Sequence, residues 1–435
     1  MKTKNEKAIS TLIAVTIAFS ILVAFSATAS ATTIYVPEGG NQTIQQAVDN
    51  ATGGDIIIVR DGTYNENVNV YVASLTIRSE NGSANCVVNA SDPNDAVFRV
   101  NETPNYVNIS GFTVTGGSRG ILLHWVDHCN ISNNIVSGNG WGIGLYGRIG
   151  VPNYADYNTV KDNIISNNTE GIWMYKARYS TIINNTILNN TNRGIHMDTY
   201  SNSNTIKDND VQGNNRGIEV AGPTAYPCSD NVVNCNNIVG NSAYGVWNHP
   251  DNLELNATQN WWGDTSGPSG VGPGTGDAVS ANVDFDPWSF TPDPCEAKTI
   301  GFWKNHEDSV NAVLDDYGPI YLGNDSTVYY YEVNDSDNAT AVFNNATNKN
   351  ALNMLAAQLL AAELNVLHLE HLNIAYCDCI DDVIDDADEF LSEKRYTGPG
   401  GTAKVTGKDK QPANLIKNDL DDFNQGLCPC TLPTP

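Results

Sequence analysis

The chain predicts a mainly β solenoid of short strands, plugged at its start by a capping helix and followed by a small disulfide-bonded α-helical domain. Three observations carry this. A phrase of asparagine, glycine and alternating apolar residues recurs along residues 131–247. Composition shifts from Asn-Gly to helix formers at Cys295. Nine cysteines accompany an export-type leader.

The leader comes first. Lys2 to Lys7 is basic, Ala8 to Phe25 is apolar, and A-x-A sites follow at Ala27-Thr28-Ala29 and Ala29-Ser30-Ala31. Residues 1–31 read as a secretion signal, with a retained membrane anchor as the alternative. "KAISTLIAV" resembles the start of archaeal pilin-type leaders. No later segment reads as a membrane span. The formal charge of −26 argues against nucleic acid or anionic membrane as partner. The expected location is secreted or cell-surface, and N-x-S/T sequons such as Asn81, Asn108 and Asn256 are read as by-products of Asn-rich turns.

The repeat occupies the next region. "VKDNIISNNTEGIWM", "IINNTILNNTNRGIHM" and "IKDNDVQGNNRGIEV" start at Val160, Ile182 and Ile206. Each coil holds an Asn at one fixed slot (Asn134, Asn163, Asn185, Asn209, Asn236) and a second five residues later. A Gly then precedes apolar residues in alternation. The shortest spacing, Asn163 to Asn185, is 22 residues. That suits three short strands and three turns per coil rather than a helix pair. Asn at the same slot of each coil predicts a stacked amide ladder, and Gly a corner with no Cβ in the way. Longer spacings at 146–157 and 221–230 predict loops on one flank. "TIQQAVDNA" (Thr43 to Ala51) reads as the capping helix, and Trp261, Trp262 and Trp288 as the far-end cover.

"TIQQAVDNATGGDIIIVRDGTYNENV", the Asn-Gly coils and the "NWWG…GP" ending resemble the right-handed parallel β-helix proteins of the pectate-lyase-like and NosD-like kind. The resemblance covers residues 33 to about 290, and the domain is placed at 33–292. It implies a right-handed parallel β-helix, a fold that carries lyases, hydrolases, epimerases and proteins without known activity. The Gly-His-Gly and adjacent-Asp motifs of the polygalacturonases are missing, as are the Met- and His-rich tracts that copper handling would need.

Strict alternation after the corner Gly places residues +2 and +4 outward. One outer face would then carry Trp173, Tyr175, His196, Asp198, Glu219, Trp247 and His249. Aromatic rings stack on sugars and carboxylates bind sugar hydroxyls, so these residues are the candidate carbohydrate site. His196, Asp198 and Glu219 lie on neighbouring coils, about 5–8 Å apart, and are the catalytic candidates. An acidic polysaccharide would require Ca²⁺ against so acidic a protein. No metal site is expected otherwise: "HWVDH" (His124 to His128) reads as structural.

Residues 293–435 form the second domain. Asn348 to Leu372 predicts one long helix with Leu352, Leu355, Leu359 and Val366 along a stripe, and Cys379 to Lys394 a second. "TIGFWKNH" and the late Cys pairs resemble a GFWKNH-type helical module of prokaryotic surface proteins, with Phe302 and Trp303 as core. Cys377, Cys379, Cys428 and Cys430 read as disulfides to distant partners or as a four-thiolate metal site, and export favours disulfides. Counted by itself, the domain's five cysteines leave one thiol over.

The expected function is an exported β-helix protein that binds polysaccharide or envelope glycan without catalysis. The alternatives are a uronate lyase or glycoside hydrolase, and a purely structural envelope component.

Overall fold

A computed structural model describes residues 31–428 except 41, 103–104, 149–153, 325, 348–349 and 378. The leader (residues 1–31) and Cys430 therefore lie almost wholly outside the described residues.

Three parallel sheets of eleven, ten and eight strands wind through residues 33–284. A representative coil contributes Thr181–Ile183 to the eleven-stranded sheet, Thr186–Leu188 to the eight-stranded sheet and Arg193–Asp198 to the ten-stranded sheet. Each strand pairs in register with its equivalents one coil away: Ile182 faces Ile206, Ile187 faces Val211, Ile195 faces Ile218. Ile182, Ile187, Ile195 and Met197 are completely buried; β-branched residues fill the first three slots in coil after coil, while Leu123, Leu145 and Met174 share the fourth with Met197. Each such side chain stabilises the stack by about 1.5–3 kcal/mol through burial. Branching at Cβ matches the pleat.

The turns explain the Asn and Gly. The left-handed residue of each turn is the one before the ladder Asn: Asp162, Asn184 and Asp208 have φ of 56°, 54° and 54°. The ladder Asn itself turns inward. The backbone N–H and Nδ2 of Asn185 both donate to Asn209 Oδ1 at 3.0 Å, while Nδ2 also donates to Val160 O at 2.9 Å. Its Oδ1 in turn accepts from Asn163. The corner Gly is required by close approach. A Cβ on Gly194 would sit 2.6 Å from the carbonyl oxygen of Gly217 on the next coil.

Helix α1 (Ile44–Asn50) closes the first end. Thr43 and Gln46 form a capping box, Glu66 accepts from the N–H groups of Ile44 and Gln45, and Ile44, Ala47 and Val48 are buried in the solenoid core. At the far end Trp262 is fully buried, Trp261 is half-buried, and Asn260 and Asp277 terminate the two ladders. Asp277 accepts from Gly240 N, Asn241 N and Asn241 Nδ2, each at 2.8 Å.

The second domain packs α2 (Ile300–Asn305), α3 (Glu307–Tyr317), α4 (Ser336–Asn344), α6 (Ile380–Glu393) and α7 (Lys410–Asn424) around α5 (Ala351–His371). A hairpin, Ile320–Leu322 with Tyr331–Val333, joins α3 to α4. The single stripe expected on α5 is corrected. Leu352, Leu355 and Leu359 are buried, but so are Ala356, Ala357, Leu360, Ala361 and Ala362, because neighbours surround this helix. Its length and composition would also let it cross a bilayer, which the sequence reading missed; here it is the core helix. Trp303 is core, and its Nε1 donates to the buried Asn365. Phe302 is half-buried against His306.

The domains are joined covalently. Cys235 of the solenoid bonds Cys295, and Cys377 bonds Cys428. Cys379 is also disulfide-bonded. The leftover thiol expected of the helical domain is therefore corrected: its parity was counted domain by domain, whereas one bridge crosses between domains. Cys377 and Cys428 are bonded to each other and so do not form a four-thiolate site. Around the bridge, Asn237 and Asp293 exchange two hydrogen bonds, Gln259 Nε2 donates to Leu372 O at 2.6 Å, and His371 Nε2 bonds Trp288 O at 3.0 Å.

Candidate functional site

The outer face of the ten-stranded sheet carries the candidate residues. The corner Gly interrupts the alternation, so three columns face outward rather than two. The column before the Gly holds Arg119, Trp141, Glu170, Arg193 and Arg216. The second holds Leu122, Gly144, Trp173, His196, Glu219 and Trp247, and the third His124, Tyr146, Tyr175 and Asp198.

The first column changes the environment of the second. Arg193 Nε lies 2.6 Å from Glu219 Oε2, and Arg216 Nη1 donates to the same oxygen at 2.5 Å. Arg193 Nη1 also donates to Glu170 Oε1 at 2.8 Å, which accepts from Asn192 Nδ2 at 2.7 Å. Glu219 is 2% exposed and His196 5%. Both were expected on an open surface; instead the long side chains of the first column and the adjacent rings cover them. Burial alone would raise the Glu219 carboxyl, but the two guanidiniums outweigh it and hold its pKa below the usual range. Burial, then the charge of Arg193, depresses His196 to about 4, so its imidazole is neutral at pH 7. Burial raises the carboxyls of Glu170 and Asp198.

Aromatic rings continue the face toward the N-terminal coils. Trp141 and Trp173 meet at 4.1 Å between centroids, and Trp173 stacks on His196 at 5.1 Å. Tyr146 stacks on Tyr175 at 4.7 Å, beside Asp198 on the next coil. Arg119 lies over Trp141 at 4.2 Å and Arg216 over Trp247 at 4.3 Å. Among the described residues, Trp173 Nε1, both ring nitrogens of His196, Glu170 Oε2 and Arg119 Nε are buried without a hydrogen-bond partner. His249 is half-buried, edge-on to Trp247 at 5.4 Å.

The arrangement brings Trp173, Tyr175, His196, Asp198 and Glu219 onto neighbouring coils, with Trp247 and His249 beyond Arg216. The sequence reading missed Arg119, Trp141, Glu170, Arg193 and Arg216. The signal was the residue before each corner Gly, repeated as "SRG", "NRG" and "NRG". His124 and His128 do not converge: His124 bonds Asn101, and His128 stacks between Tyr106 and Tyr157.

Residues 96–261 match the family model described as right handed beta helix region. The repeat domain is a right-handed parallel β-helix. Over 103 residues the chain is 40% identical to a cell surface glycoprotein of Methanothermus fervidus; the match takes in 22% of this chain and only 16% of that protein's length. Similar solved structures include an alginate lyase from Paenibacillus sp. (18% identity, TM-score 0.43, 58% of this chain and 99% of that one). Pectate lyase Pel9A is another (16%, TM-score 0.45, 61% and 81%).

Proposed function

We propose that this is an exported cell-surface protein whose β-helix holds a polysaccharide or envelope glycan along the outer face of the ten-stranded sheet. The observation that carries the reading is the run Trp141, Trp173, Tyr146 and Tyr175, bordered by buried polar atoms of Trp173, His196, Glu170 and Arg119 that have no partner among the described residues. A sugar ring offers an apolar face to stack and hydroxyls to satisfy such atoms. The surface location is supported by the likeness to a protein named a cell surface glycoprotein and by the disulfides.

Binding rather than catalysis is favoured by Glu219. A carboxylate held by two guanidiniums is a poor proton donor, and its ionised form is already neutralised. A glycan array probed with the full chain, with and without Ca²⁺, tests the proposal. Retention of one glycan class that Trp173→Ala weakens supports it. Retention of none in either condition overturns it in favour of a structural envelope role. Release of unsaturated uronate or new reducing ends by the same chain would make it an enzyme.

A further inference from the structure

The helical domain has a cavity that the β-helix face does not use. It measures about 330 Å³ and lies between α5, α6 and the turn from α3 into the hairpin. Its walls are the apolar side chains of Ile320, Val366, Leu367 and Ile384, with Tyr317 and Tyr321 at its sides. Glu363 of α5 also lines it, and Glu363 Oε2 is buried with no hydrogen-bond partner among the described residues. Asp381 and Asp385 of α6 line the same space. A second groove continues from it past Tyr321 and Asp385 to Asp388 and Glu389. Among the described residues, no Lys or Arg lines either one.

We propose that this cavity is a lysine-binding pocket that receives the extended side chain of a partner protein, with Glu363 pairing the ammonium group. Three features argue for this occupant. The apolar walls match a four-methylene stem, which a lysine buries readily. Tyrosine faces attract a cation. Acids outnumber bases among the described lining residues, which favours a positive charge and repels an anionic or carboxylate-bearing ligand. Burial, then the charge of Asp388, holds the Glu363 carboxyl well above the ordinary range in the free protein. An entering ammonium favours the ionised carboxylate and so opposes that upward shift. Among the described residues, the charged and titratable groups around the cavity include Asp381 and Asp385 on α6, Tyr317 and Tyr321, with Asp388 and Glu389 in the adjoining groove; Asp316, paired with His371, and Glu370 act on Tyr317.

The test uses the full chain and three small probes: Nα-acetyl-lysine N-methylamide, its norleucine counterpart, and its glutamate counterpart. Binding is followed by calorimetry or by NMR shifts of the pocket residues. Saturable binding of the lysine probe is expected, with at least tenfold weaker binding of the other two. Glu363→Gln, which keeps the shape, should weaken the lysine probe at least tenfold. Should that variant melt early, Leu367→Trp, one turn along α5 from Glu363, is the second arm and should block the probe by filling the space. Equal binding of lysine and norleucine would make the cavity merely apolar and overturn the proposal. So would unchanged lysine binding by Glu363→Gln, or no binding by a wild-type chain that melts normally.

Discussion

Arg193 and Glu219 stand one coil apart on the same outer face, with Nε 2.6 Å from Oε2. Arg216 holds the same oxygen from Glu219's own strand, and Arg193 also reaches back to Glu170. Three coils are thus tied by one charged chain on an otherwise very acidic protein. Glu219→Gln leaves two guanidiniums facing a neutral amide in a buried setting. The expected loss is about 3–5 kcal/mol in a urea melt. A change within a few tenths would show that solvent screens this network.

His196 and His368 should make the protein acid-sensitive. His368 is fully buried, its Nε2 within 3.1 Å of Thr291 Oγ1 and Pro294 O, and burial depresses it to about 3. Both imidazoles are neutral in the fold but take up a proton near pH 6.5 once unfolded. The unfolded chain then binds more protons, so stability falls as pH drops from about 6.5 toward 4. For His196 the loss amounts to roughly 2–4 kcal/mol. Urea melts at pH 7 and 4.5 on wild type and His196→Gln check this. An equal drop in both chains would remove His196 from the account.

The ladder supplies a third expectation. Asn185→Ala removes its donors and leaves Asn163 N without its side-chain acceptor, while Asn163 Nδ2 keeps Ile131 O and Lys161 O. The cost should be about 1–3 kcal/mol, read as a lowered melting temperature. A variant that melts with wild type would mean water replaces the amide at no cost.

Trp173→Ala should weaken glycan retention by about 1–3 kcal/mol while His196 loses its stacking partner. Tyr175→Ala, two residues along the same strand, should keep the melting temperature. If thermal stability falls and glycan retention holds, Trp173 serves only as packing.

A non-reducing peptide map should recover Cys235 linked to Cys295 and Cys377 linked to Cys428. Cys235→Ser should cost about 4 kcal/mol, given the sequence separation of 60 residues. Recovery of Cys295 as a thiol would return the helical domain to an odd count.

The fold was legible because a solenoid writes its register repeatedly: Asn163, Asn185 and Asn209 occupy one slot, and their neighbours follow. The site was legible only in part. Counting by twos from Gly194 reaches His196 and Asp198 but puts Arg193 on the inner side. The interruption that turns Arg193 outward is a backbone event at a residue with no side chain to mark it. That is also why Glu219 read as open surface: what covers it comes from the uncounted column. The cross-domain bridge was illegible for another reason. Cys235 sits at the left-handed position of a ladder turn, φ 57°, where the repeat elsewhere places Asn or Asp. Its deviation from the repeat was the only sign that something outside the repeat needed it.

That bridge also decides how the molecule answers a mechanical pull. Strand pairing in the stack runs along its long axis, so tension applied end to end peels coils one at a time, beginning at an exposed end. The chain passes from Cys235 through Leu255–Asn256 and Trp261 before reaching Cys295. A tug arriving through the helical domain takes the sulfur route and enters at the coil of Cys235. The intervening coil hangs slack beside that route, and its hydrogen bonds feel little of the force. A chain anchored by its helical end would behave as a clamp whose last turn cannot be unwound first.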